Sequence, residues 1–149
     1  MKLSTYKNCI GKSAKAEEIR PLFTPWGEKI DPDHVLEEYP RPSMVRNNYT
    51  ILNGYWNFRV LKLKTSEELM QGKILVPFSP EAPLSEAGFQ LRPNQYLICE
   101  RDFDFPDLKE GERCILHFGA VDQHAKIFVN DHNVINHTGG YLPFSIDCR

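Results

Sequence analysis

At 149 residues, 41% hydrophobic and 26% charged, the chain has room for one domain with a genuine core, and its composition excludes disorder. A formal net charge of -2 leaves no basic surface to follow a phosphate backbone, which excludes nucleic acid as an expected partner. The apolar run Lys73–Phe78 is too short to span a bilayer, and the opening MKLSTYKNCIGKSAKAEEIR lacks the apolar stretch of a secretory signal, so no membrane is expected and a cytoplasmic location is.

Residues 1–39 read as an arm with little apolar periodicity. Within it, Asp31-Pro32-Asp33-His34-Val35-Leu36-Glu37-Glu38 has a capping residue, a proline at the first helical position and acids in the first turn, which predicts a short helix. Tyr39-Pro40-Arg41-Pro42 then demands extended backbone, because a residue before proline avoids the α region. Tyr55–Val60 predicts a strand with Trp56, Phe58 and Val60 on one face. Thr65-Ser66-Glu67-Glu68 has the form of a capping box and predicts a short helix that Gly72 stops. Lys73–Phe78 predicts a short strand, and Ser79–Asn94 a long surface loop.

Tyr96–Phe105 predicts the next strand. Arg113–Gly119 follows, with Cys114, Leu116 and Phe118 facing one way. His124–Asn130 places Ala125, Ile127 and Val129 on one side, and the turn at Asn130-Asp131 leads into Val134–His137. Short strands at regular spacing argue an all-β sandwich. With the double glycine and aromatics from Gly139 to Phe144, the stretch Ile115–Asp147 resembles part of a jelly-roll, galactose-binding-domain-like sandwich. One or two further strands after Arg149 are expected to close it.

Several residues suggest chemistry, and for each a plainer reading is preferred. The cysteines Cys9, Cys99, Cys114 and Cys148 contain no CxxC pair and are read as reduced thiols, with a disulfide between two of them open in principle. Four of the five histidines fall between His117 and His137, but their spacings match no compact metal motif, so no metal is expected. No cofactor signature is present: no lysine or helix start follows Gly139-Gly140, which rules out a phosphate loop. Those glycines instead suit a positive-φ turn, with Tyr141 and Phe144 covering the end of the core and His137 hydrogen-bonding locally to hold it. The neighbouring acids, Asp102 with Asp104 among them, read as solvated surface. Trp56 is expected in the core, whereas Trp26 in the arm is free to pack on another domain.

The order Tyr39-Pro-Arg-Pro-Ser-Met-Val-Arg46, Leu52-Asn-Gly-Tyr-Trp-Asn-Phe58, Val76-Pro-Phe-Ser-Pro-Glu81, His117-Phe-Gly-Ala-Val-Asp122 and His137-Thr-Gly-Gly-Tyr-Leu-Pro-Phe144 resembles the opening of glycoside hydrolase family 2 enzymes, the β-galactosidases, β-glucuronidases and β-mannosidases. The resemblance implies that residues 40–149 form the N-terminal jelly-roll, or sugar-binding, domain of such an enzyme. An immunoglobulin-like sandwich and a barrel are then its partners within the same polypeptide, and a β-linked carbohydrate is the substrate of the whole enzyme. The retaining mechanism needs two carboxyl groups about 5 Å apart. The resemblance places both in the barrel, so no catalytic residue is expected here and the chain alone is expected to be inactive. It also implies that the loop carrying Glu81, Leu84 and Ser85 lies at the active-site rim or at an interdomain contact. His137, Gly139, Gly140, Tyr141, Pro143 and Phe144 are implied as a structural turn. Two departures stand out: Asp131 where the family usually has glycine, and Ile98-Cys99 where it usually has aromatics. A free-standing carbohydrate-binding module and a protein-interaction sandwich, self-associating through an open sheet edge, remain as alternatives.

Overall fold

The computed structural model describes residues 22–38, 43 and 46–148. Seven strands follow in chain order: β1 (Gly54–Lys62), β2 (Glu68–Val76), β3 (Gln95–Glu100), β4 (Ile115–Phe118), β5 (His124–Val129), β6 (His132–Thr138) and β7 (Phe144–Asp147). Single 3-10 turns occur at Gly27–Lys29 and Pro83–Ser85. The fold is therefore all-β, as the alternation predicts. The sheets have the orders β2-β1-β3, β4-β7 and β5-β6. The last two are antiparallel by register. Arg59 pairs with Glu100 and Leu63 with Asn94, so β1 and β3 also run in opposite directions.

The chain divides into two compact units. One holds Phe58–Gln71 and the described residues of Leu91–Arg149; the other holds the described residues of Asn8–Asn57 and Gly72–Gln90. In the first, Val121, Ala125, Ile127 and Ile146 form a buried cluster, with Phe118, Ile135, Phe144 and Cys148 packed against it. Ala125 and Ile127 lie two apart on β5, as the period-2 pattern requires. Burying a side chain of this size contributes about 2 kcal/mol. The β5–β6 turn is Asn130-Asp131, with φ 47° and 64°. Two successive positive φ values between paired strands make the type I′ geometry whose twist suits a hairpin. The register shifts by one residue at Ile127/Phe128, and Asn133 Nδ2 donates to the Ile127 carbonyl there at 3.2 Å. In the second unit, Val35, Ile74, Leu75 and Ser85 are buried.

Four expectations need correction. Residues 31–38 form turns and bends, not a helix. Asp31 does cap, accepting from the Asp33 amide at 3.0 Å, but Leu36 then takes φ 49°. The Val35 and Glu37 carbonyls accept from the side chains of Asn53 and Tyr49, which tie the segment down in this non-helical path. The segment Thr65–Gly72, expected as a helix, is instead the turn after β1 and the first half of β2. Lys62 N–H donates to the Glu67 carbonyl and Ser66 N–H to the Lys62 carbonyl, both at 2.9 Å. Thr65 Oγ1 accepts from the Glu67 amide at 3.4 Å, a capping geometry spent on a turn. A two-turn helix cannot repay its nucleation, whereas β2 extends through nine residues. The strand expected over Tyr96–Phe105 ends at Glu100. Finally, Ser79–Asn94 is not wholly a surface loop, because Ser85 and Leu91 are buried. The Tyr39–Pro42 segment, expected to be extended, Cys9 and most of the arm lie outside the described residues.

Candidate functional site

The loop after β2 carries the three expected rim residues, and the structure gives them different situations. Glu81 is exposed. Leu84 and Ser85 belong to the 3-10 turn that Pro83 opens. Ser85 has no exposure at all. Its hydroxyl lies 2.7 Å from the Ala82 carbonyl and 3.2 Å from that of Pro80, and it accepts from the Ala87 amide at 3.2 Å. Its hydrogen-bonding capacity is spent on the loop itself, so Ser85 is a lock and not a ligand contact.

Leu84 lines a cavity of about 230 Å³ with Phe23, Ile30, Pro32 and Leu75, and Glu86 places a carboxylate at its wall. Glu86 takes φ 60° as the cap of the 3-10 turn, and its Oε2 accepts from the Tyr55 hydroxyl at 2.9 Å. That hydrogen bond holds the Tyr55 phenol above its usual range. Lys73 Nζ lies 5.9 Å from the centre of the same ring. The lining is mostly apolar, with Glu86 as its one ionisable residue. Sequence reasoning named Leu84 but missed Tyr55 and Glu86. They are 31 residues apart, and no local pattern couples them. Trp26 is 81% exposed, as its place in the arm allows. Trp56 is only half-buried; its indole N–H donates to the Leu52 carbonyl at 2.7 Å.

The second group of expected residues lies between β6 and β7. Gly139 has φ 123°, and its amide donates to the Gln123 carbonyl at 2.8 Å. A Cβ at Gly140 would sit 2.9 Å from Asp122 Cγ, so the aspartate leaves room for glycine alone. His137 holds this turn by stacking. Its ring lies 4.1 Å from that of Phe144, which in turn stacks on Phe118 at 4.8 Å. Its Nε2 is buried without a hydrogen-bond partner, which corrects the expected local hydrogen bond. Tyr141 is 96% exposed and does not cover the core; Leu142 and Pro143 beside it are also exposed. Half-buried Phe144 does the covering.

Asp102 and Asp104 lie beyond β3 in an irregular, exposed segment and do not share a strand face. Among the described residues no group of three metal-ligating side chains converges. His117 Nδ1 is 2.7 Å from Ser145 Oγ, and His124 Nδ1 is 3.2 Å from Thr138 Oγ1, both as cross-strand pairs on the exposed face. Among the described residues no helix is long and apolar enough to cross a membrane.

No protein-family model matches the sequence. It is 31% identical over 111 residues to a β-glucuronidase of Streptococcus agalactiae serotype V, an alignment covering 72% of this chain and 18% of that protein. It is 40% identical over 48 residues to a β-glucuronidase of Paenibacillus borealis, covering 32% of this chain and 8% of that protein. This distant similarity relates the chain to glycoside hydrolases. The matched part spans less than a fifth of the length of either relative.

Proposed function

We propose that this chain is the N-terminal accessory domain, a jelly-roll, of a retaining family 2 glycoside hydrolase of β-glucuronidase type. It supports the catalytic barrel and shapes the rim of the active site, and the reacting carboxylates belong to another domain. The observation that carries this reading is the alignment itself: it covers 72% of this chain but only 18% of the Streptococcus relative. The all-β architecture supports the same view. The exposed Tyr141 and Leu142 suit contact with a neighbouring domain.

The test pairs two proteins. The purified 149-residue chain should not hydrolyse an aryl β-glucuronide. The Streptococcus relative should lose its activity when its corresponding 111-residue segment is deleted, and regain it when this chain's segment is grafted in. Turnover by the isolated chain, or an unaffected deletion variant, would overturn the proposal.

A second reading, a free-standing carbohydrate-binding module, has one observation in its favour. Trp26 is exposed immediately before Gly27, which lines the cavity bearing Glu86. Exposed tryptophan faces are apolar platforms for sugar rings. Calorimetric titration with glucuronic acid separates the readings: millimolar binding by this chain alone that Trp26→Ala abolishes would favour the module.

A further inference from the structure

The β4–β7 ladder carries its inward side chains in opposed pairs. Leu116 faces Ile146 and Phe118 faces Phe144. The rings of the last pair are stacked 4.8 Å apart at 7°, so partners in this ladder meet side by side. Extending the register by one rung from Ile115 and Asp147 brings Cys114 opposite Cys148, and the Cys148 amide donates to the Cys114 carbonyl at 3.0 Å. The parity of the strands puts both thiols on the same face as Leu116 and Ile146. A hydrogen-bonded antiparallel pair holds its Cα atoms about 5.5 Å apart, inside the roughly 4.4–6.8 Å that a disulfide spans. Both residues are half-buried free thiols. Arg113 and Asp147 approach within 3.6 Å at the same end of the ladder and add an ion pair across the strands.

We propose that Cys114 and Cys148 are a redox-active pair that closes to a cross-strand disulfide by exchange with a small-molecule disulfide of the glutathione class. One thiolate attacks the small disulfide, breaks its S–S bond and expels one small thiol. The neighbouring thiolate then attacks the protein sulfur of the mixed disulfide and expels the second. Two protein thiols are oxidised, one small disulfide is reduced to two thiols, and the protons lost by the protein end on those thiols. The new bond ties β7 to β4 beside the Phe118–Phe144 stack, below the turn that presents Tyr141. Burial pushes the Cys148 thiol up, its neighbour Cys114 adds to this, and the backbone at Leu116 works the other way. Closure therefore accelerates as pH rises from 7 to 9. Cys99 cannot compete: burial pushes it up to about 11.

The experiment uses the whole chain, equilibrated in glutathione buffers of graded potential, quenched with acid, alkylated under denaturing conditions and digested with trypsin. The expected product is a linked pair of peptides, residues 114–126 with 127–149, which reductant separates and which survives in the Cys99→Ala variant. The linked protein should unfold roughly 5 °C or more above the reduced form, a rise absent in Cys148→Ser. Full alkylation of both cysteines in the most oxidising buffer would overturn the proposal. So would a separate glutathione adduct on each cysteine, or linkage that forms only in denatured protein.

Discussion

The β5–β6 hairpin and the stretch from Thr65 to Asn94 are comparable in kind, each carrying strand and turn, yet they differ in what determines them. In the hairpin, the alternation and the turn agree with each other, despite one register shift at Ile127/Phe128. Ala125 and Ile127 alternate with polar residues, Asn130-Asp131 supplies the turn, and Ile135 returns opposite Ile127. In the other stretch, local signals conflict with the outcome. A capping-box motif becomes a hairpin turn, Gly72 lies within a strand, and a proline-rich loop buries a serine completely. The lesson is one of competition. A local motif prevails only where no longer-range partner offers the same backbone groups a better use.

The largest expected effect lies in the hairpin. Ile127 is 5% exposed at the centre of its cluster, and Ile127→Ala should cost about 3 kcal/mol in urea unfolding, from lost transfer energy and the cavity left behind. A cost below about 1 kcal/mol would mean that this cluster does not hold the unit together. An intermediate effect belongs to the loop. Ser85→Ala removes a buried hydroxyl that serves two carbonyls and the half-buried Ala87 amide, and should cost about 1–2 kcal/mol. Protease sensitivity between residues 79 and 94 should rise with it; an unaltered loop would show that the proline geometry alone sets its path. The smallest effect returns to the hairpin. Asp131 sits at φ 64°, and Asp131→Gly relieves that strain while adding freedom to the unfolded chain. The expected net gain is about 0.5 kcal/mol, read as a slightly higher Tm. A loss would mean that the aspartate side chain stabilises the turn more than its backbone strain costs.

The candidate site was legible in part, for reasons that particular residues make plain. Glu81, Leu84 and Ser85 stand out as a proline-framed loop, but only the folded chain separates the exposed Glu81 from the locked Ser85 and the cavity-lining Leu84. Glu86 looks like any surface acid until Tyr55 reaches it. Gly140 reads as a flexible turn residue, whereas its actual constraint is the Asp122 side chain against it. An aromatic beside a turn resembles a core cover in sequence, yet Tyr141 lies in solvent in the folded chain.

The strands at β1, β4, β5 and β6, the shared facing of Ala125 and Ile127 and the tight turn at Asn130-Asp131 were determined by sequence alone, because period-2 alternation and positive-φ tolerance act within a few residues and need no distant partner. The fate of Asp31–Glu38 and Thr65–Gly72, the burial of Ser85, the Tyr55–Glu86 hydrogen bond and the meeting of Cys114 with Cys148 were decided only in the tertiary structure. Each depends on groups far apart in the chain competing for the same hydrogen bonds or the same space, and that competition is resolved only when the strands pair.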